Sequence, residues 1–318
     1  MFEEKFITNA IARSAETQLD RRKLFTMAGL AGVGAAAAIA TSGGAASAAD
    51  TAAAGEAPSD ASILNFALNL EYLEAEFYLR AVTGEGLDDS LVGGVGTLGQ
   101  VSGGRKVNFK NKAIRQYARE IARDEREHVT FLRAALGSAA VARPAISLNA
   151  SFTAAAQAAG LIKKGQKFDP YASDLNFLFA AFIFEDVGVT AYKGAAQFIS
   201  NKTYLDAAAG ILSVEAYHAG IIRSTLYGLG VEDSAVWSGV NAISNARDSL
   251  DGKGGNTDQG IRAKGTANLV PTDSNGLAYG RTTGQVLNIV YLNPAAATSG
   301  GFYPAGLNGD IVTSATSA

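Results

Sequence analysis

The sequence contains no cysteine in its 318 residues. A chain without thiols has no disulfide, no thiolate nucleophile, no iron–sulfur cluster and no zinc-finger site. Any bound metal must therefore be held by carboxylates, histidine, tyrosine or backbone oxygens. Oxygen ligands with a little imidazole suit iron, manganese or an adventitious divalent ion.

Charge is also scarce, because charged residues make up 18% of the chain, compared with about 25% in an average domain. The formal net charge is −3 and no basic patch stands out, so we expect no nucleic-acid partner. The 36 glycines are typical of long irregular loops. Apolar residues, at 47%, are sufficient for the core of one large domain or two small ones.

The N-terminus has the pattern of an export signal. Arg21 and Arg22 precede the weakly apolar run "MAGLAGVGAAAAIA", and Ala46-Ser47-Ala48 follows as a cleavage site. The pattern predicts a twin-arginine signal peptide over 1–48 and a periplasmic or extracellular protein. A retained membrane anchor is the alternative, but the run is shorter than the ~20 residues that span a bilayer, so we expect no stable membrane span after cleavage.

Four stretches of helical periodicity follow a low-complexity linker over 49–58. A Gly-rich loop separates the first two stretches, and a long connection with a short helix at "FTAAAQAAG" separates the second from the third. We therefore predict an all-α fold, a four-helix bundle over 59–228 with a long crossover between helices 2 and 3. The predicted helices cover residues 59–84, 110–137, 173–200 and 201–228.

Residues 229–318 are predicted to form a C-terminal extension of the bundle. One further helix is expected from Glu232 to Leu250, followed by Gly- and Asn-rich loops. The apolar segment "TTGQVLNIVYL" within this extension is consistent with either a helix or a strand.

Both histidines of the chain lie in the pattern Glu-x-x-His. Glu125 precedes His128 by three residues, and Glu215 precedes His218 by three. On a helix, this spacing places both side chains on one face with their Cβ atoms about 5–6 Å apart. Chance is a poor explanation for two such pairs in a chain with two histidines.

The matching offsets extend beyond the histidines and indicate a duplicated helix pair. Glu71 in the first helix precedes Tyr78 by seven residues, and Glu185 in the third helix precedes Tyr192 by seven. After each histidine, an apolar residue, an arginine and a leucine follow at offsets of four, five and eight; they are Leu132, Arg133 and Leu136, and Ile222, Arg223 and Leu226.

Two helices that each supply one Glu and two that each supply Glu-x-x-His provide the ligand set of a di-iron or di-manganese site in a four-helix bundle. Burying four carboxylates together without cations would be very costly, whereas two divalent ions cancel their charge. We predict two Fe ions, with Mn as the alternative. The candidate metal ligands are Glu71, Glu125, His128, Glu185, Glu215 and His218.

Three further residues are candidates for a supporting role. Glu74 lies on nearly the same helix face as Glu71. It could be an extra ligand, an acid that supports the ligands, or a surface residue. Tyr78 and Tyr192 have the spacing to relay electrons or to hydrogen-bond a ligating carboxylate, although aromatic residues at helical spacing also build cores. Glu76 and Glu127 are expected to be solvated, and the matched arginines of the two halves are expected to repeat a structural ion pair.

The motifs resemble those of a known superfamily. "NLEYLEAEFY" and "EREH" resemble the metal motifs of the first two ferritin helices. "GGRKVNF", "FDPYASDLNFL", "VEAYHAGIIR" and "GGFYPAGLNG" are similar to bacterial desiccation-related ferritin-like proteins. The resemblance covers nearly the whole chain after the predicted signal peptide. It implies a ferritin-like fold and metal ligation by the same six residues.

Two hypotheses about function follow. The first is an exported di-metal protein that reacts with oxygen or peroxide and protects against oxidative or desiccation stress. The second is a non-catalytic protective protein with a vestigial or stabilising metal site, in which the Gly-rich loop and the tail mediate association, including a homo-oligomer. Cage-forming iron storage ranks third, because the insertion and the C-terminal extension would interfere with shell packing.

Overall fold

The computed structural model describes residues 58–252 and 257–316. The predicted signal peptide and all but the last residue of the predicted linker lie outside these ranges, so the N-terminal assignments stay predictions. Within the described residues the predicted all-α fold is confirmed, since helices dominate and each strand has only two residues. The seven helices are α1 Asp60–Thr83, α2 Lys112–Leu136, α3 Ala150–Ala158, α4 Asp174–Ala195, α5 Lys202–Glu232, α6 Ser234–Leu250 and α7 Thr283–Tyr291.

Short elements fill the connections. Single turns of 3₁₀ helix occur at Asp89–Leu91, Gly137–Ala139 and Ala196–Phe198. In the Gly-rich loop, β1 (Val101–Ser102) pairs in parallel with β2 (Ile146–Ser147), which lies in the long crossover. In the extension, β3 (Arg262–Ala263) pairs antiparallel with β4 (Thr266–Ala267). The Gly-rich loop is thus hydrogen-bonded to the crossover.

Each bundle helix begins at a residue that caps its first turn. A side-chain oxygen of the capping residue accepts a hydrogen bond from a backbone amide that has no partner within the helix. The capping residues of α1, α2, α4 and α5 are Ser59, Asn111, Ser173 and Asn201. Gly84 ends α1 with a φ of 98°, a left-handed conformation that glycine adopts without strain.

The bundle consists of two helix pairs. α1 packs most extensively on α2, and α4 on α5, as the duplicated sequence pattern predicts. In α2 the buried side chains recur every three or four residues and form one stripe, which includes Ile114, Ala118, Ile121, Glu125, His128 and Leu132. The acid and the imidazole of this stripe, Glu125 and His128, therefore both face the core.

α4 is the central helix of the bundle. Asp174–Phe198 is long and apolar enough to cross a membrane, but 83% of its most apolar window is buried inside the protein. Phe177 and Phe184 of α4 pack against Phe77 of α1, with ring centroids 5.5 and 5.6 Å apart. Burial on all sides explains the apolar character of this helix.

The predicted end of the fourth helix at Gly228 is wrong, because α5 continues to Glu232. The next helix, α6, begins at Ser234 rather than at Glu232, and Asp233 caps it. Gly230 lies within α5 because a neighbouring ring occupies the space of a side chain. A Cβ at this position would lie 2.1 Å from Cδ1 of Trp237. This glycine reflects close packing rather than a helix stop.

The expected solvation of Glu76 is also wrong, whereas Glu127 is exposed as predicted. Glu76 is fully buried and pairs with Arg80, at 2.9 Å, and with Arg143. Arg143 comes from the crossover, so the charge of Glu76 is compensated by a residue far away in the sequence.

The two matched arginines bond to matched positions, but within residues 58–252 and 257–316 only Arg223 forms an ion pair. Arg223 donates to Asp186 at 2.7 Å, and Arg133 donates to the hydroxyl of Tyr72 at 2.6 Å. Asp186 follows Glu185 directly, and Tyr72 follows Glu71 directly. The partners of the two arginines therefore lie at equivalent positions, as predicted, but the partner in the first half is the neutral Tyr72 instead of an acid.

The extension beyond α5 packs on the bundle. The segment that suited either a helix or a strand is α7, which begins with a capping box between Thr282 and Gln285. The Tyr303 hydroxyl donates to the Asn69 carbonyl of α1 at 2.7 Å. The Arg281 amide donates to the Thr190 carbonyl of α4 at 2.9 Å. The extension thus contacts both helices that supply a single candidate ligand.

Candidate metal centre

The six predicted ligands converge in the core of the bundle. α1 supplies Glu71, α2 supplies Glu125 and His128, α4 supplies Glu185, and α5 supplies Glu215 and His218. Every one of these residues is at least 92% buried. Four helices thus bring four carboxylates and two imidazoles together away from solvent.

One group of possible ligand atoms surrounds His128. The Nδ1 atom of His128 lies 3.1 Å from Glu71 Oε2, 3.4 Å from Glu125 Oε2 and 3.5 Å from Glu215 Oε1. One ligand atom from each of these four residues lies within 4.8 Å of all the others. Three carboxylates and one imidazole therefore face a common point.

A second group surrounds His218. Its Nδ1 atom lies 2.9 Å from Glu125 Oε1 and 3.7 Å from Glu185 Oε2. Glu125 belongs to both groups, with one oxygen directed to each, which is the arrangement of a bridging carboxylate. The two imidazole rings are 6.3 Å apart between centroids. The geometry offers two adjacent cation positions.

Several buried polar atoms of the cluster have no partner with hydrogen-bond geometry among the described residues, although some lie close to each other. They include both carboxylate oxygens of Glu125 and of Glu215, Oε2 of Glu185 and Nδ1 of His218. An unpartnered buried polar atom costs about 1–3 kcal/mol, and more if it is charged. Metal ions would give these atoms ligand bonds and cancel the negative charge, so the residues fit a di-metal group.

The electrostatics of the cluster are those of crowded buried acids. Burial raises the pKa of Glu71 to about 7 and that of Glu185 to about 8. Burial and the neighbouring carboxylates also raise the pKa of Glu215 well above its ordinary value. These three acids hold protons more tightly than a solvated glutamate does.

The pKa values of Glu125 and the two histidines are shifted in the directions that favour charged, paired groups. Burial raises the pKa of Glu125, but the contacts with both imidazoles outweigh it and lower this pKa to about 2. Burial lowers the pKa of the two histidines, but the surrounding acids outweigh it and raise the pKa of His128 to about 11 and that of His218 to about 9. Protonated imidazoles thus partly neutralise the cluster, and a metal ion has to displace these protons.

The two tyrosines cross-connect the halves of the bundle. Tyr78 of α1 donates to Oε1 of Glu185 on α4, and Tyr192 of α4 donates to Oε1 of Glu71 on α1 at 2.5 Å. Hydrogen bonding to a candidate ligand is one of the roles that the spacing suggested. Each hydroxyl fixes one oxygen of an acid and leaves the other directed at the cluster.

Glu74 lies beside the cluster but outside both ligand groups. It is buried, so the surface alternative is wrong for this residue. Its Oε1 atom lies 3.4 Å from the position of a Cβ on Gly188, and Oε2 of Glu215 lies 2.5 Å from the same position. Burial and the surrounding acids raise the pKa of Glu74 well above its ordinary value.

Asp124 is a contact of the cluster that the spacing did not predict. Its Oδ2 atom lies 3.4 Å from Nε2 of His218, the nitrogen that points away from Glu125. A carboxylate at this nitrogen holds the ring in place and sets which nitrogen faces a metal. The contact joins α2 to α5, and nothing in the charged run around Asp124 marks it as different from its neighbours.

A further acidic group lies in the extension, formed by Asp248, Asp251 and Asp258. Arg281 pairs with Asp251 at 2.7 Å and also with Asp258, and Arg247 pairs with Asp258 at 2.8 Å. Arginines already compensate this charge, so the group has the character of a structural ion-pair network.

The comparisons with known proteins give one matching family and two relatives. Residues 59–228 match the family described as Ferritin-like domain. The chain is 33% identical over 241 residues to the desiccation-related protein PCC13-62 of Craterostigma plantagineum, covering 70% of this chain and 75% of the relative. It is 30% identical over 271 residues to the ferritin-like catalase Nec2 of Nesocodon mauritianus, covering 80% and 85%. No solved structure gives a significant match.

Proposed function

The chain belongs to the ferritin-like domain family, and from this premise we propose that it is a di-metal protein, with iron preferred over manganese, that reacts with peroxide or oxygen. One observation carries the proposal. Four helices direct four carboxylates and two imidazoles at two adjacent points, and in the part of the chain that the structure describes several of the buried ligand atoms have no hydrogen-bond partner. Such a donor set is typical of dinuclear carboxylate sites in helical bundles.

The candidate ligands form two groups, one for each ion position. Glu71 with His128, and Glu185 with His218, would each hold one ion, and Glu125 faces both positions. Iron or manganese would supply reversible electron transfer and an open position for an oxidant. Burial excludes bulk water from the cluster and strengthens its electrostatic interactions.

The names of two relatives support the substrate class and the biological setting. One relative is named a ferritin-like catalase, which supports peroxide as a substrate of this chain. The other is named a desiccation-related protein, which supports a role in stress. The paired arginines and the alanine-rich run at the N-terminus support export by the twin-arginine pathway to the periplasm or beyond.

Metal analysis and peroxide turnover of the purified protein test the proposal. We expect about two equivalents of iron or manganese per chain and oxygen release from hydrogen peroxide. Replacing both His128 and His218 by Ala should remove metal and turnover while the helical circular dichroism stays unchanged. Glu127→Gln, an exposed position on α2, is the matched control and should behave as wild type. Less than one equivalent of any transition metal in the wild type would contradict the proposal.

A non-catalytic protective role is the second candidate, favoured by the name of the relative from Craterostigma plantagineum. In this case the metal site would stabilise the fold, and protection would come from the protein surface. The same double substitution separates the two candidates. A variant without turnover that still protects dried cells or a dried reporter enzyme as well as wild type supports the second candidate.

A further inference from the structure

Two small apolar cavities lie between the protein surface and the candidate metal centre. The outer cavity, with a volume of about 30 Å³, lies between α3, α4, α6 and α7. The inner cavity, with a volume of about 20 Å³, lies between α1, α4, α7 and Phe302. Ile183 of α4 and Ile289 of α7 line both, so the two cavities are neighbours. A cavity of about 10–15 Å³ is sufficient for one water, so each can hold a molecule of similar size.

The outer cavity begins near the surface. Ala158, which lines it, is exposed, and Phe168 is half-buried. Among the described residues that line it, Arg247 is the only one with a charged side chain, and its guanidinium already pairs with Asp186 and Asp258. The remaining walls are hydrocarbon, which a small neutral molecule enters at much lower cost than an ion.

The inner cavity reaches the ligand cluster. The residues that line it are all buried, and they include Gly188 of α4 and Glu74 of α1. Oε2 of Glu215 lies 2.5 Å from the position of a Cβ on Gly188, and Oε1 of Glu74 lies 3.4 Å from it. Because Gly188 has no side chain, the carboxylate of a candidate ligand borders the inner cavity.

Glu74 is an independent sign that the inner cavity takes a polar molecule. It is 6% exposed, and among the described residues that line this cavity it is the only one with a polar side chain. Within residues 58–252 and 257–316 its carboxyl group has no hydrogen bond and no salt bridge. Buried polar groups normally have a partner, and a small hydroxylic molecule in the cavity would supply one. Hydrogen peroxide is little larger than water and has a hydroxyl group at each end.

We propose that the two cavities form the route by which hydrogen peroxide reaches the metal centre, with Ile183 and Ile289 as its narrow point and Glu74 as the hydrogen-bonding group at its inner end. This inference rests on the proposed function and defines the substrate class as small, neutral peroxide. The narrow point excludes alkyl hydroperoxides, and the apolar walls disfavour ions. Ile289 belongs to the C-terminal extension, so the extension sets the size limit of the site.

Binding of nitric oxide, a small neutral probe, to the full chain loaded with ferrous iron tests the route without turnover. Ala246 lines the outer cavity, and Ala246→Leu would fill it. Filling a route slows entry and exit alike. In stopped-flow absorbance we expect both rate constants to fall by about tenfold, with the equilibrium affinity unchanged. Ala242→Leu, one turn earlier on α6 and also half-buried, lines neither cavity and is the matched control.

Ile289→Ala tests the size limit by widening the narrow point. We expect it to speed nitric oxide binding by about threefold or more. We also expect tert-butyl hydroperoxide, which should not inhibit peroxide turnover by wild type, to become a competitive inhibitor of this variant. Ile114→Ala removes an equally buried isoleucine that lines neither cavity. It should behave as wild type in both measurements and controls for lost stability.

The outcomes separate the route from the metal centre itself. Wild type that takes up no ferrous iron would refute the proposed function, and the route with it. Wild type that binds iron and nitric oxide, at rates that neither Ala246→Leu nor Ile289→Ala changes relative to its control, would overturn the route alone. Either variant suffices for this comparison, should the other fail to fold. Inhibition of wild type by tert-butyl hydroperoxide as strong as that of Ile289→Ala would overturn the size limit.

Discussion

Gly188 and Glu74 occupy equivalent residue positions in the two halves, three residues after Glu185 and Glu71. The second half has a glycine where the first half has a glutamate, and this difference has a steric cause. The carboxylate of Glu215 fills the space next to Gly188, and any side chain there would meet it. A glycine inside a helix costs roughly 0.5–1 kcal/mol relative to alanine, so stability alone would favour alanine here. The residue thus gives space to a candidate ligand.

Gly188→Ala should therefore weaken metal binding. The new Cβ would lie 2.5 Å from Glu215 Oε2 and push this carboxylate away from the cluster. We expect a loss of metal affinity of about tenfold or more, measured by equilibrium dialysis against Mn²⁺. Gly210→Ala in α5, where a Cβ meets nothing within 4 Å, is the control. It should keep the affinity and raise the free energy of unfolding by about 0.5–1 kcal/mol. Equal affinities of Gly188→Ala and wild type would refute this role.

Asp124→Asn tests whether the acid beside His218 orients the imidazole. The substitution keeps the shape of the side chain and removes its charge, so a neutral amide replaces the charged acceptor at Nε2 of His218. Partners of this kind typically change metal affinity by about 10–100-fold, and we expect a loss in that range. Glu127→Gln, an exposed acid on the same helix, should leave the affinity unchanged. If both variants bind Mn²⁺ equally well, Asp124 has no such role.

The residues of the candidate site divide into those that spacing along one helix predicts and those that it does not. Glu125 and His128 share a helix face, and so do Glu215 and His218, so the period of the helix was sufficient to pair them. Asp124 contacts His218 on another helix, and Glu76 pairs with Arg143 of the crossover in addition to Arg80 of its own helix. No local pattern carries that information, because it depends on which segments meet in the fold.

The four bundle helices were predictable in type, because each is a long stretch with few breakers that starts at a capping residue, whereas the segment of α7 suited either a helix or a strand. The boundary between α5 and α6 was not, because Gly228, where the fourth helix was predicted to end, lies inside α5. The position of the extension was not predictable either. Buried ion pairs between arginines and aspartates of different elements fix its position. From the sequence alone, an isolated arginine is expected to be a surface residue.

Among the helices and loops, Arg281 connects the extension to α4. Its guanidinium bonds to Asp251 and Asp258, and to the Thr190 hydroxyl of α4 at 2.7 Å. Arg247 pairs with Asp258 and with Asp186 of α4, which continues the network into the bundle. All of these charged groups are buried, so each depends on its partners for compensation.

Arg281→Met should strongly destabilise the fold. Two buried aspartates would lose their shared cation, and breaking a buried pair in this way costs about 3–5 kcal/mol. Urea unfolding followed by circular dichroism measures the change. Arg126→Met removes an exposed pair with Glu127 and should cost less than about 1 kcal/mol. A similar small loss for both variants would show that the network does not hold the extension in place.

At the scale of the whole molecule, the cluster connects proton binding to folding. Glu71 and Glu185 have pKa values of about 7 and about 8, above the ordinary glutamate value of 4.5. His128 and His218 have values of about 11 and about 9, above the ordinary 6.5. A raised pKa means that the folded state holds protons more tightly than the unfolded state does. The resulting stability is complete below the ordinary pKa and is lost as the pH rises through the folded value.

Metal-free protein should therefore become less stable as the pH rises from 5 to 9. Glu125 acts in the opposite direction, but only between about pH 4.5 and 2, outside this window. With Mn²⁺ present the trend should weaken or reverse, because deprotonated ligands bind the ion more tightly and binding stabilises the folded state. Thermal unfolding in chelator and in Mn²⁺, at several pH values, measures both trends. The variant with alanine at both histidines should show no stabilisation by Mn²⁺ at any pH. A melting temperature in chelator that rises from pH 5 to 9 would contradict the raised pKa values of the cluster, since each of them requires stability to fall with pH.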